Sequence, residues 1–213
     1  MGTDIHLSWQ VKNKYSNRWE VIEEVLDSDE SDLLSFRSYE NFSLLAGVRN
    51  GNGFGGVRIG DPVIPISQPK GFPEDMPCYE DKCDGIEDAF IVECYYGYII
   101  GKFGHNRKCN AWLGVHDFTY LTLDEIINYQ YWDTERVHHG MIHIDEYNRI
   151  KDTGEEPKYS CGWTNSQDYV NYSWKTSLKD SYIYKEVIPA MIKLADEHEV
   201  PYSYVRVVMG FDS

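Results

Sequence analysis

Asp4 and His6 stand two residues apart in the opening stretch Gly2-Thr3-Asp4-Ile5-His6-Leu7. On a strand that spacing sends the carboxylate and the imidazole to one face and Ile5 to the other. Such a couple can hydrogen-bond a ribose or base edge, ligate a divalent ion, or move a proton. Arg37 and Arg49 add two guanidinium forks of the kind that grip phosphate oxygens bidentately. Asn50 and Gly53 lie in Asn50-Gly51-Asn52-Gly53-Phe54-Gly55-Gly56, where backbone N–H groups can meet an anion without side-chain bulk. His116-Asp117 is a second imidazole–carboxylate couple, and Tyr39, Trp112 and Tyr120 offer rings on which a base can stack.

These residues admit three kinds of function. In the first, Asp4, His6, Arg37, Tyr39, Arg49, Asn50, Gly53, His116 and Tyr120 enclose a small phosphorylated, nucleotide-like ligand and sequester it, which requires no nucleophile. In the second the ligand is hydrolysed. Asp4, His6, His116 and Asp117, with His138, His139 or His143, would bind a divalent ion and activate water. A metal-free variant would use His6 and His116 as the catalytic acid and base. No spacing among these residues is diagnostic of a metal. The third is an acidic inhibitor that docks on a basic protein and needs no pocket. Structural roles compete with all three: Asp4 and His6 can bond each other, the arginines can pair with Glu40 or loop carboxylates, and His138-His139 can be exposed.

Charge narrows the partners. With 35 acidic against 20 basic residues the net charge is -15, a field that repels nucleic-acid backbones and anionic membranes. A small anion can still sit in a local basic pocket. The five cysteines have no zinc-knuckle spacing and suggest reduced thiols in a cytoplasm. No signal peptide or membrane span is expected, because Asp4 interrupts the N-terminus and no run approaches about 20 apolar residues.

The elements that must position these groups read as α+β with a mainly antiparallel sheet containing the N- and C-terminal strands, two or three packed helices and long loops. The 213 residues suit a single domain, 1–213. Residues 3–24 read as a β-hairpin with Ile5, Leu7, Trp9 and Val11 on one face and Asp4, His6, Ser8 and Gln10 on the other. A helix is predicted over 39–48, stopped by Gly47. Residues 51–56 match G-x-G-x-x-G, but a helix rather than a strand precedes them, so a loop able to close over a ligand is expected. Prolines 62, 65, 69 and 73 exclude helix there and stiffen a wall. Residues 75–88 and 101–110 read as loops and 90–100 as a strand or hairpin. Thr122 and Glu125 form a capping box that sets a helix at 123–132, with a short strand at 142–145. The aromatic-rich span 150–180 reads as a surface excursion that invites homo-oligomer contact. The last helix spans 182–198, with Pro189 imposing a kink or a late start, and a terminal strand at 204–209 falls in the sheet centre, beside the first strand.

Several blocks in one order resemble a family of small phage and bacterial proteins: Met1 to His6, Arg37-Ser38-Tyr39 into Leu45-Ala46-Gly47-Val48-Arg49-Asn50, Pro65 to Pro73, His116 to Glu125, and Val205 to Asp212. This chain departs from the family at Asp117, Phe118 and Thr119, where a second His and Ser residues are usual. The resemblance implies a phage or bacterial protein of the host cytoplasm. By association it implies an antagonist of nucleotide-based host defence, a sponge for an immune signalling molecule.

Overall fold

The computed structural model describes residues 2–34, 36–76, 91–94, 97–100, 113–114 and 116–212. The framework is a four-stranded antiparallel sheet in the order β2-β1-β8-β5, formed by β1 (Asp4–Lys12), β2 (Trp19–Ile22), β5 (His116–Thr122) and β8 (Val205–Asp212). β8 lies between β1 and β5, so the terminal strand is central and pairs with the first, Asp4 opposite Asp212 and Val11 opposite Val205. A two-stranded ladder joins β3 (Ile91–Cys94) to β4 (Gly97–Ile100), and a second joins β6 (Glu135–His143) to β7 (Tyr169–Ser177).

Both faces of the central sheet are covered. On one face Trp9, Val11, Val205, Val207, Met209 and Phe211 pack under α1 (Tyr39–Ala46), α2 (Leu123–Ile127) and α4 (Ile188–Glu197). The rings of Phe42 and Phe211 meet edge to face at 5.4 Å. On the other face Phe72, Met76, Leu113 and Val208 form a smaller cluster with Phe118 and Tyr120. The Asp4/His6/Ser8/Gln10 face is therefore not uniformly open. Ser8 and Gln10 are buried, and Gln10 accepts from Arg206 Nε at 2.8 Å.

The caps explain the helix limits. Ser38 accepts from the Asn41 N–H at the start of α1, and Gly47, at φ 72°, ends it in the left-handed conformation. The Thr122–Glu125 capping box is formed in both directions, but α2 stops at Ile127, well short of residue 132. Trp132 then folds back, its indole N–H donating to the Ile126 carbonyl at 2.8 Å. Pro189 gives the last helix a late start. It has no N–H to donate, a wide π-helical turn spans Ile183–Val187, and regular α geometry begins at Ile188.

Two further sequence expectations are corrected, and one strand stands where none is predicted. His116 to Thr122 approaches α2 as a strand. β6 starts at Glu135 and takes in His138 and His139, well before residue 142, and α3 (Ile144–Thr153) follows it directly. Within the supposed excursion 150–180, residues 169–177 form a nine-residue strand. That span is poor in aliphatics, yet Tyr169, Val170, Tyr172, Trp174 and Thr176 are strand formers. Trp174 also stacks on His138 at 5.1 Å. The loop expected at 101–110, most of that at 75–88, and Trp112 lie outside the described residues.

Candidate functional site

At the end of the sheet where Asp4, His116 and Asp212 lie, two clefts open. The first, about 490 Å³, is lined by Thr3, Ala46, Gly47, Val48, Arg49, Gln68, Pro69, His116 and Asp117. Arg49 reaches it because Gly47 ends α1 and turns the chain back. Arg49 itself sits at φ 54°, a left-handed conformation unusual for a side chain of its size, and its Nε donates to Thr3 Oγ1 at 2.8 Å. His116 and Asp117 reach it from β5, where the pairing with β8 slips between His116 and Thr119. Asp117 at that irregularity is also left-handed, φ 52°. Irregularities of this kind re-aim side chains, and left-handed non-glycine residues concentrate at binding sites.

Within the cleft, His116 Nδ1 and Asp117 Oδ2 are 2.8 Å apart. A carboxylate only accepts, so Nδ1 carries the proton whenever the ring is neutral. Nε2 is buried and has no hydrogen-bond partner among the described residues. The ring lies along that of Phe211, 6.4 Å between centroids.

The second cleft, about 500 Å³, is lined by Asp4, Ile5, His6, Leu7, Trp9, Glu23, Glu24, Val25, Asp32, Leu33, Phe36 and Arg37. Its polar groups are matched to one another. Arg37 Nε and Nη2 donate to Asp4 Oδ1 and Oδ2 at 2.7 and 2.6 Å, and these bonds hold the Asp4 carboxyl below its usual range. His6 Nε2 lies 3.1 Å from Asp212 Oδ2, and the Asp4 N–H donates to Asp212 Oδ1. Asp4 and His6 thus share Asp212 rather than bonding each other.

The structure divides the sequence candidates. Arg49, His116 and Asp117 converge on the first cleft; Asp4, His6 and Arg37 line the second; Tyr39, Asn50, Gly53 and Tyr120 line neither. Asn50 ties its own segment together, donating to the Val63 carbonyl and accepting from the Val63 N–H. The glycine loop folds on itself: Gly53 N–H donates to Val57, Gly56 N–H to Gly53, and Gly60 N–H to Gly51. Those donors are spent internally rather than offered to an anion. Tyr39 packs edge-on against Phe42, and the Tyr120 ring is capped by Lys70 at 4.2 Å. Among the described residues no three His, Cys, Asp or Glu side chains converge on a metal position. Thr3, Gln68 and Asp212 were not singled out from the sequence, and Pro69 entered only as part of the proline-stiffened wall.

Taken together, fold and cleft define an α+β protein with a polar pocket at one end of an antiparallel sheet. No family model, curated protein or solved structure matches the chain. Among the described residues no helix is long and apolar enough to cross a membrane.

Proposed function

We propose that the cleft between Arg49 and His116 binds a small phosphorylated, nucleotide-like ligand and sequesters it. The observation that carries this reading is the convergence of Arg49 with the His116–Asp117 couple, 67 positions away in sequence, on one cleft of about 490 Å³. That volume lies within the usual range for small-ligand sites. Arg49 supplies the charge for a phosphate, with Thr3 fixing its fork. Asp117 and Gln68 suit the donors of a sugar or base edge. The proline-stiffened wall contributes Pro69, limiting the entropy lost on closure. The family resemblance extends the reading to a phage-encoded antagonist of nucleotide signalling in the host cytoplasm. Exposed Tyr159 and Trp163 (82% and 69%) fit its acting as a homo-oligomer.

A second reading has its own observation. An imidazole oriented by a carboxylate at 2.8 Å is the arrangement of a proton-transfer residue, and in this reading His116 makes the cleft a phosphodiesterase-type hydrolase.

The test is to incubate the protein with cyclic di- and trinucleotides and ADP-ribose derivatives, filter, heat the retained protein, and chromatograph both fractions. Intact nucleotide released only by heat establishes sequestration. A new product without heating establishes hydrolysis. Neither result with any compound overturns both readings and leaves the acidic inhibitor.

A further inference from the structure

On β6, two neighbouring histidines each bridge a hydroxyl and a carboxylate. His139 Nδ1 lies 2.8 Å from Ser173 Oγ, directly opposite on β7, while its Nε2 lies 3.0 Å from Asp61 Oδ1. His138 Nε2 lies 2.7 Å from Thr176 Oγ1, and its Nδ1 lies 2.8 Å from Glu40 Oε1. In both relays the carboxylate can only accept, so it fixes the proton on the nitrogen facing it. The nitrogen facing the hydroxyl is left with a lone pair. A hydroxyl, a base and an orienting acid in that order form the geometry of an activated nucleophile.

The two relays differ in access. His138 is 7% exposed and pressed under the Trp174 ring, and Thr176 is a partly buried secondary hydroxyl. Ser173 is a primary hydroxyl on the exposed face of β7. Asp61 is anchored by Arg58 as well as His139 and by its own N–H on the Val137 carbonyl; the His139 N–H donates to the Ile59 carbonyl at 2.8 Å. The relay is thus built on a strand pair with a bonded support.

We infer that Ser173, His139 and Asp61 form a solvent-facing nucleophilic site that cleaves small carboxylate esters, separate from the Arg49–His116 cleft. Ser173 Oγ bonds to the ester carbonyl carbon as its proton passes to His139 Nδ1. The carbon–oxygen bond to the leaving group then breaks, and the departing alkoxide takes that proton. Water, deprotonated by the same nitrogen, attacks the acyl-serine. Carboxylic acid leaves, and Ser173 recovers its proton.

The test treats the full chain with 4-nitrophenyl acetate, follows nitrophenol release and locates acetyl groups by peptide mass spectrometry. Acetyl is expected on Ser173, formed as nitrophenol is released. Ser173→Ala abolishes that adduct, and His139→Gln slows its formation by roughly 100-fold. Thr176→Val leaves it unchanged. Circular dichroism checks that each variant is folded, and Asp61→Asn gives a second route to the same loss through the wrong tautomer. No adduct on Ser173, or equal acetylation in folded His139→Gln and Asp61→Asn, overturns the inference.

Discussion

Arg37 closes on Asp4 through two parallel hydrogen bonds of 2.7 and 2.6 Å, so two residues that each suggested ligand binding satisfy one another. Arg49, by contrast, borders the open cleft. The two arginines therefore predict different outcomes. Arg49→Ala should weaken nucleotide binding by roughly ten- to a hundredfold, the range for losing a charge-assisted hydrogen bond. Arg37→Ala should leave affinity near wild type. Isothermal titration with the ligand retained in the filtration experiment checks both, and equal losses would place the ligand across both clefts.

A buried arginine meets an exposed carboxylate at the face of the central sheet. Arg206, 3% exposed, donates to Asp75 Oδ1 at 2.6 Å and lies against the Trp19 ring at 3.7 Å, while Trp19 Nε1 donates to Asp75 Oδ2. Asp75→Asn removes the countercharge of a buried guanidinium and should cost about 2 kcal/mol in urea unfolding at neutral pH. Burial pushes the Asp75 carboxyl up, but the Arg206 bonds and charge together with Trp19 bring it below its ordinary 3.8. A carboxyl depressed in the folded state contributes fully above its unfolded value and loses that contribution as pH falls through the folded value. The difference between wild type and Asp75→Asn should therefore hold from neutrality down to about the ordinary value of 3.8 and vanish as pH falls from there through the lower folded value. A difference that shrinks already near neutrality would show that another group governs it.

Gly210 sits where two chain segments cross. A methyl group there would lie 2.0 Å from the Leu113 carbonyl oxygen and 2.5 Å from Phe118. Gly210→Ala should destabilise by about 3 kcal/mol through overpacking, seen as a lower urea midpoint at an unchanged slope. The opposing backbone belongs to 113–114, next to β5, so the variant should also disturb the His116 cleft.

Thr122 accepts from the Glu125 N–H at 3.2 Å, and Glu125 accepts from the Thr122 N–H at 2.8 Å. Thr122→Ala should cost about 1 kcal/mol, measured by thermal unfolding, with nucleotide binding unchanged. Loss of binding at this position would mean that the length of α2 controls the cleft.

Local sequence carried much of the framework. Gly47 ends α1 because capping depends on groups within a few residues, and Pro189 set the start of α4 because a missing N–H acts on its own turn. Alternation from residue 3 to 11 and the apolar run at 204–209 marked the two end strands, and their pairing at the centre of the sheet was legible too. The strands rich in aromatic or mixed residues, 116–122 and 169–177, were not, since their pattern becomes interpretable only with Arg206, Val208 and His138 opposite them.

For the site, residue types established what chemistry was available: arginines for anions, imidazole–carboxylate couples for protons. Only the tertiary structure decided which partner each group has. Asp4 is matched by Arg37, His6 by Asp212, and the Gly53 and Gly56 amides by their own segment, while Arg49, bonded to Thr3, and His116, bonded to Asp117, border one open cleft. The reason is physical: hydrogen bonds and charge pairs are decided within about 3 Å, and separations on that scale between residues far apart in sequence are set by packing, to which no local pattern has access.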